Sequence, residues 1–172
     1  MSPSIDVLNP RRPKQIAIVA SNSSTAKQTG WPIGFWWSEL THPFWEFIEH
    51  GYKVNIYSPD GGKLQADRWS DPRDESKYSA DHLISLRFIC SPQRSALVEN
   101  SQPLAQLKSA HYDAVLLVGG QGPMYTFYNV CFYEEKSGRD GNLVTSQQQY
   151  SGTVVARLVI EALGSLSELT TE

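Results

Sequence analysis

A glycine-rich turn that follows an apolar run is the feature of this sequence that most constrains its fold. The run, Ala114–Val118, contains only Ala, Val and Leu, which is typical of a strand buried on both faces, as in a parallel sheet. Gly119, Gly120 and Gly122 follow it, and glycines let backbone N–H groups approach a ligand because no Cβ lies in the way. Open α/β sheets bind ligands beyond the carboxyl ends of their strands. The turn is therefore either an oxyanion or anion site or a tight strand-to-helix connection without a ligand.

Length and composition indicate a single globular domain. The chain has 172 residues, 40% of them hydrophobic, which suits one sizeable core and is too many for a disordered protein. Its net charge is −3 and no basic block occurs, so we expect no nucleic-acid or membrane partner. No signal-peptide core or membrane-spanning run is evident. The two cysteines are then thiols rather than a disulfide framework, and we expect a cytoplasmic protein.

Alternating strand and helix patterns predict an α/β fold, a mainly parallel sheet with helices on both faces. We expect a flexible N-terminal arm over residues 1–14, one domain over 15–164 and a C-terminal tail over 165–172, with a loop and short helical pieces over 60–92. The predicted strands are Gln15–Ser21, Tyr52–Ser58, Ala114–Val118 and Asn142–Thr145, and the predicted helices are residues 42–50, 103–109 and 153–163.

Terminal residues set the bounds of two predicted helices. Thr41 and Pro43 are typical of a helix start. His50 and Gly51 are typical of a helix end, because a cation and a left-handed glycine both stabilise the last turn. Gly164 is expected to end the last helix.

Four segments carry a resemblance to a known family: Gly34–Phe47, Gly51–Asp67, Tyr112–Tyr125 and Asp140–Gly152. In these motifs and their order the chain resembles the ThiJ/PfpI superfamily, which includes the Parkinson's-disease deglycase, the glyoxalase III enzymes and the class I glutamine amidotransferase domains. It looks most like the glyoxalase III and chaperone-like branch. The resemblance implies a flavodoxin-like three-layer fold.

One block of the family pattern is missing from the sequence. In the family, a further strand carries the nucleophile elbow, a Cys-His pair in a sharp strand-to-helix turn. Here only sixteen residues separate Met124 from Gly141, and they contain no Cys-His pair. We therefore predict a sheet that is truncated in the middle and lacks its elbow strand. Loss of a strand exposes apolar faces of its neighbours, which a homodimer would cover.

The resemblance gives Glu39 an acid–base role, because the matching glutamate shuttles a proton beneath the nucleophilic cysteine. The aromatic residues at 35–37 should desolvate this carboxyl and raise its pKa, which suits proton transfer near neutral pH. The alternative is a helix-start glutamate bonded to nearby backbone N–H groups. Gly119 and Gly120 match the family's oxyanion site, where backbone donors stabilise charge on a carbonyl oxygen.

Neither cysteine fits the role of nucleophile. A reactive thiol needs a helix N-terminus or a neighbouring His to lower its pKa. Cys131 is followed by Glu134 and Glu135, whose negative charges would raise the pKa of its thiol. Cys90 has no adjacent His. Buried structural thiols are the preferred interpretation for both.

The remaining candidates have weaker patterns. Glu39 and His42, three residues apart, could share a face and bind a metal, but helix-start hydrogen bonding is preferred and no metal site is predicted. His82 and His111 have no evident partner, and Gln147–Gln149 could supply a substrate-facing amide. An aromatic cluster could line a pocket or a partner surface, although core packing is preferred; its members are Trp31, Phe35, Trp36, Trp37 and Trp45.

The resemblance implies cofactor-free conversion of methylglyoxal, a small reactive carbonyl compound, to lactate. The family's cysteine would form a hemithioacetal, and its glutamate would move a proton through an enediol. Without the elbow cysteine we expect a catalytically impaired protein. The alternatives are a non-catalytic chaperone-like or dimerisation module and an amidotransferase-like domain, which would also need the missing cysteine and a histidine.

Overall fold

The computed structural model of the chain describes residues 13–22, 24–25, 30–120, 136–140, 143–147 and 152–169, with side chains for 13–22, 25, 30–120 and 152–164. The strands are β1 (Gln15–Val19), β2 (Ser24–Thr25), β3 (Pro32–Ile33), β4 (Lys53–Ser58), β5 (Gln102–Pro103), β6 (Ala114–Leu117), β7 (Lys136–Asp140) and β8 (Leu143–Gln147). The helices are α1 (Trp37–Glu49), α2 (Leu83–Ile89), α3 (Pro92–Glu99) and α4 (Gly152–Leu169). Single 3-10 turns lie at Arg68–Ser70, Leu104–Gln106 and Ser109–His111.

A parallel sheet with the order β5-β4-β1-β6 forms the centre of the described fold. Strand β1 lies inside this sheet, and its β-branched residues Ile16 and Ile18 are fully buried. Ile18 pairs with Ile56 of β4 on one side and Leu116 of β6 on the other. The prediction of an α/β fold with a mainly parallel sheet is therefore confirmed, and the architecture is consistent with a flavodoxin-like three-layer fold.

Helix α1 supplies much of the core on one face of the sheet. Its buried residues Leu40, Phe44 and Phe47 follow one another at the spacing of a single helix face. They belong to one apolar cluster with Ile16 and Ile18. The same cluster takes one or two residues from each other helix: Phe88, Val98, Ala156 and Leu163. Burial of one common face thus fixes the helices against the sheet.

The other face of the sheet is partly covered. Ala17 and Tyr57 are buried there and pack against Leu107 and Tyr112. The hydroxyl oxygens of Tyr57 and Tyr112 lie 2.7 Å apart. Burial, and after it this contact with Tyr112, raise the pKa of Tyr57 to about 12.

The prediction that Ala114–Val118 is a central strand buried on both faces is wrong for the described residues. Strand β6 is the last strand of the described sheet, beside β1. Val115 is 47% exposed and Leu117 is 74% exposed, because no described element covers their side of β6. The alternate residues of the run, Ala114, Leu116 and Val118, pack into the core cluster.

The predicted start of the first helix is also wrong. Helix α1 begins at Trp37, and Thr41 and Pro43 are buried inside it. No side chain caps its first turn, and burial of Trp37 and Leu40 stabilises that turn instead. The predicted end is confirmed, since His50 is the C-cap residue and Gly51 has a left-handed φ of +77°.

Three further element predictions need correction. The helix predicted over 103–109 is reduced to the 3-10 turn Leu104–Gln106, because Pro103 is held in extended conformation by the pairing of β5 with β4. The last helix does not end at Gly164 but continues to Leu169. The predicted strand at 142–145 corresponds to β8, which is not part of the parallel sheet: Asp140 pairs with Leu143, and this short connection joins β7 and β8 as an antiparallel hairpin. The short helical pieces predicted within 60–92 are confirmed by α2 and a 3-10 turn.

Some predictions fall outside the described residues. These are most of the N-terminal arm, Cys131, and residues 121–135, where the elbow strand would be missing. They remain predictions. Among the described helices, none combines the length and the apolar character that crossing a membrane would require.

Phe47 offers a test of this packing. It is fully buried in the core cluster, so Phe47→Ala should lower the free energy of unfolding by about 3–5 kcal/mol, through lost burial and a residual cavity. Urea unfolding measures this difference. Leu83→Ala is the control, because Leu83 is 69% exposed and its truncation should cost less than about 0.5 kcal/mol. Equal costs for the two variants would contradict the described core.

Candidate functional site

The Gly119–Gly120 turn lies directly after β6, at the carboxyl end of the parallel sheet. Val118, the residue before it, donates its N–H to the Val19 carbonyl at 2.8 Å and so continues the sheet pairing. Gly120 has a φ of +133°, and a Cβ there would collide with the Gly34 carbonyl oxygen and lie 2.8 Å from the Cα atom of Phe35. Only glycine permits this approach of two backbone segments.

Backbone contacts hold the Gly34–Phe35 segment in this place. Phe35 donates its N–H to the Gln65 carbonyl at 3.2 Å, and a Cβ on Gly34 would overlap the same oxygen. The Gly34 N–H donates to Oδ1 of Asp67 at 2.9 Å. Asp67 in turn donates its own N–H to the Phe35 carbonyl at 2.8 Å. The segment is therefore fixed between the loop after β4 and the glycine turn.

Glu39 reaches the glycine turn from the first turn of α1. A Cβ added to Gly119 would lie 2.8 Å from Oε2 of Glu39, and the Gly119 N–H donates a hydrogen bond to this carboxyl. Both parts of the predicted site, Glu39 and the turn, therefore lie together. The expected oxyanion donor at Gly119 is already engaged by Glu39.

The surroundings of Glu39 favour its protonated form. Burial is the main cause that raises the pKa of Glu39 from 4.5 to about 7, and the negative charge of Asp67 is the second. The hydrogen bond from Gly119 has a smaller effect in the opposite direction. The aromatic residues that precede Glu39 in the sequence, Phe35, Trp36 and Trp37, are buried. A carboxyl group with this pKa can both donate and accept a proton at neutral pH, which is the property of an acid–base residue. Its catalytic role remains a prediction.

Asp67 is the residue that the sequence analysis missed. It is only 2% exposed, yet in the sequence it is one of several acidic residues in a polar loop. The one sequence signal that could have singled it out is its position as the last residue of Gly51–Asp67, one of the four segments that carry the family resemblance. Its place beside Gly34 and Glu39 depends on the fold and could not be read from spacing.

The cysteines contribute no nucleophile to the described part of the site. Cys90 was expected to be buried, and this is wrong: it is the C-cap residue of α2 and is exposed. Its neighbours Phe88 and Ile89 pack in or against the core cluster, whereas the chain leaves the helix at Cys90. Cys131 lies outside the described residues.

The histidines take structural positions. The His50 ring nitrogen Nδ1 lies 2.8 Å from the Glu46 carbonyl, which confirms the predicted C-terminal cap. The His42 and His82 rings are 6.4 Å apart; burial first, and then the nearby His82, lower the pKa of His42. His111 is exposed. Within the described ranges, no group of three metal-ligating side chains comes together.

Four members of the predicted aromatic cluster pack in the core, as preferred. They are Phe35, Trp36, Trp37 and Trp45, each at most 8% exposed. Trp31 differs, because it is 48% exposed and packs edge-on against Trp69 at 5.5 Å. The side chains of Gln147–Gln149 lie outside the described residues.

Known structures share this fold. The Rapid Encystment Protein 24 kDa of Francisella tularensis matches with a TM-score of 0.72 at 16% identity, over 87% of this chain and 99% of that one. A ThiJ/PfpI domain protein of Brachyspira murdochii matches with a TM-score of 0.57 at 16% identity, over 90% and 98% of the two chains. Glyoxalase III of Candida albicans matches with a TM-score of 0.51 at 15% identity, over 88% of this chain and 53% of that one.

These similarities confirm the ThiJ/PfpI-type fold that the motifs predicted. At such low identities the likeness is one of fold. No protein-family model and no curated protein matches the sequence. The matched part is about half of the glyoxalase III chain, at 53%, but nearly all of the Brachyspira chain, at 98%. Truncation in the middle therefore remains a prediction.

The raised pKa of Glu39 predicts how stability depends on pH. An acid whose pKa is higher in the folded state stabilises that state below the unfolded pKa of 4.5, and this contribution is lost as pH rises through about 7. One pKa unit corresponds to about 1.4 kcal/mol. As the pH rises across this range, the free energy of unfolding of Glu39→Gln should therefore increase by up to about 3 kcal/mol relative to that of the parent.

Urea unfolding at pH 5 and pH 8 measures this difference. Glu49→Gln is the control, because Glu49 is an exposed residue of the same helix and its substitution should leave the pH dependence unchanged. A Glu39→Gln variant that follows the parent at both pH values would show that Glu39 is not desolvated.

Proposed function

We propose that this chain, which has a ThiJ/PfpI-type fold, carries the acid–base half of a glyoxalase III-like site for small reactive carbonyl compounds and turns them over slowly. The supporting observation is the contact of Glu39 with the Gly119 N–H, in surroundings that raise the pKa of Glu39 to about 7. Glyoxalase III of Candida albicans is among the structures with the same fold. The required chemistry is a proton transfer between adjacent carbons, which needs one group that works as both base and acid.

The proton transfer has a route that needs no thiol. In water, the aldehyde carbon of methylglyoxal adds one water molecule to give the hydrate. Glu39 as base would remove the hydrogen from this carbon, and the electron pair would form the double bond of an enetriol as the ketone oxygen takes up a proton. Glu39 then returns its proton to the adjacent carbon while one hydroxyl of the former aldehyde carbon releases its proton to water, which replaces the proton taken up by the ketone oxygen. The product is lactic acid, and atoms and charge balance. The ketone oxygen would compete with Glu39 for the Gly119 N–H, since negative charge develops there.

Loss of the covalent step makes this route slow. A hemithioacetal places the substrate and is hydrolysed only after isomerisation, whereas a hydrate has only non-covalent contacts to hold it. Groups that act as a unit lose most of their effect when one is absent. We therefore propose a turnover orders of magnitude below that of an enzyme with an elbow cysteine.

Lactate formation from methylglyoxal tests this proposal. The purified chain should form lactate slowly, and Glu39→Gln should reduce that rate about 100-fold, because general acid–base catalysis contributes roughly this factor. Cys90→Ala and Cys131→Ala should leave the rate unchanged. Loss of activity in either cysteine variant would mean that a thiol has replaced the elbow nucleophile, and equal rates in parent and Glu39→Gln would remove the proposed site.

A second candidate function is dimerisation through the exposed face of β6. Val115 and Leu117 are 47% and 74% exposed on neighbouring positions of one strand face, and exposed apolar edge strands favour association. A second copy of the chain would cover them. This candidate is compatible with slow turnover and also with a protein that has no activity.

Light scattering after size-exclusion chromatography tests the homodimer. The parent should elute as a dimer and Leu117→Lys as a folded monomer, because an amine in this face would lose its hydration on association. Leu83→Lys is the matched control, since Leu83 is 69% exposed on α2, and it should remain dimeric. A monomeric parent, or dimers in all three proteins, would contradict this interface.

A further inference from the structure

Asp67 is a carboxyl group in an unusual place. It follows the loop after β4 and is 2% exposed, although aspartates are among the residues least often fully buried. Burial of a charge costs free energy unless hydrogen bonds and neighbouring groups compensate for it. Such a residue requires an explanation in what it contacts.

The first contact of Asp67 is with the segment that leads into α1. Its Oδ1 accepts the Gly34 N–H at 2.9 Å, and its own N–H donates to the Phe35 carbonyl at 2.8 Å. These two bonds bind both ends of the Gly34–Phe35 unit. The same unit lies against Gly120, where a Cβ would collide with it.

The second interaction of Asp67 is with Glu39. The negative charge of Asp67 raises the pKa of Glu39. Among the causes of this raised pKa it ranks second, after burial. When two carboxyl groups share a buried site, ionisation of one disfavours ionisation of the other. The negative charge of Asp67 therefore favours the protonated form of Glu39.

We infer that Asp67 is a positioning residue of this site: its carboxyl oxygen and its N–H fix the Gly34–Phe35 segment against the Gly119–Gly120 turn, and its charge acts on Glu39 beside that turn. Two effects of one side chain are thereby separated. The hydrogen bond to Gly34 needs only an acceptor oxygen, whereas the effect on Glu39 needs a negative charge. The consequence for turnover rests on the proposed function, but the effect on Glu39 does not.

Asp67→Asn separates the two effects, because it keeps an acceptor oxygen and removes the charge. The protonation of Glu39 is followed by its carboxyl C=O infrared band, identified as the band lost in Glu39→Gln within the same background. The midpoint should be about 7 in the parent, and in Asp67→Asn it should fall below that value while staying above 4.5, since burial remains. The melting temperature of Asp67→Asn should stay closer to that of the parent than does that of Asp67→Ala, which loses the acceptor as well.

Asp81→Asn is the matched control, because Asp81 is exposed in the same long loop and should leave the Glu39 midpoint unchanged. An unchanged midpoint in Asp67→Asn would overturn the inference. So would failure of Asp67→Asn to fold, because the amide retains the acceptor that we hold to be sufficient for positioning.

The infrared titration also separates this inference from the proposed function. If the Glu39 midpoint falls in Asp67→Asn while no protein forms lactate, the role of Asp67 stands and the proposed activity fails. If lactate formation depends on Glu39 and its pH profile is identical in the parent and Asp67→Asn, the proposed activity stands and the role of Asp67 fails. When both hold, the pH profile of lactate formation moves to lower pH in Asp67→Asn.

Discussion

The close approach of the Gly120 backbone to the Gly34–Phe35 segment is the constraint on which the candidate site depends. A side chain at Gly120 would meet backbone atoms of Gly34 and Phe35, and a side chain at Gly34 would meet the Gln65 carbonyl on its other side. Neither glycine can therefore be replaced without moving the Gly34–Phe35 segment. This approach places the start of α1 at the end of β6, and Glu39 then reaches Gly119 from the first helical turn. The contact between these two backbone segments thus creates the site, and the Glu39 side chain completes it.

Burial has opposite effects on stability and on chemistry at this place. Ionising Glu39 in the folded protein is costly, because burial and Asp67 both oppose a second negative charge. The same cost makes Glu39 able to hold a proton at neutral pH, which an exposed glutamate cannot do. Asp67 itself is stabilised by the backbone N–H of Gly34. The protein therefore tolerates a carboxyl group at position 39 whose ionisation lowers stability, which is the compromise expected at a functional site.

Local sequence signals predicted the parts of this fold that depend on local physics. The buried β-branched run of β1, the left-handed Gly51 and the pairing of Glu39 with the glycine turn were all accessible, the last through the family resemblance. Local signals could not predict three other features: the exposure of Leu117, the antiparallel partner of β8 and the burial of Asp67. Each of these depends on which distant segment lies alongside, and a residue's own neighbours in sequence carry no record of that. Cys90 shows the same limit: its apolar neighbours indicated burial, but the helix end turns it outward.

The exposed face of β6 and the candidate site are parts of one strand, and this links the two proposed functions. Leu117 lies two residues before Gly119, so a partner that covers Leu117 also contacts the strand end from which the turn begins. The turn has little freedom to move, because Gly120 is packed against Gly34 and Phe35. Covering the β6 face would remove water from the strand end without displacing Glu39. Since Leu116, and not Leu117, faces the core cluster to which α1 belongs, association through Leu117 would leave Glu39 and its hydrogen bond from Gly119 in place.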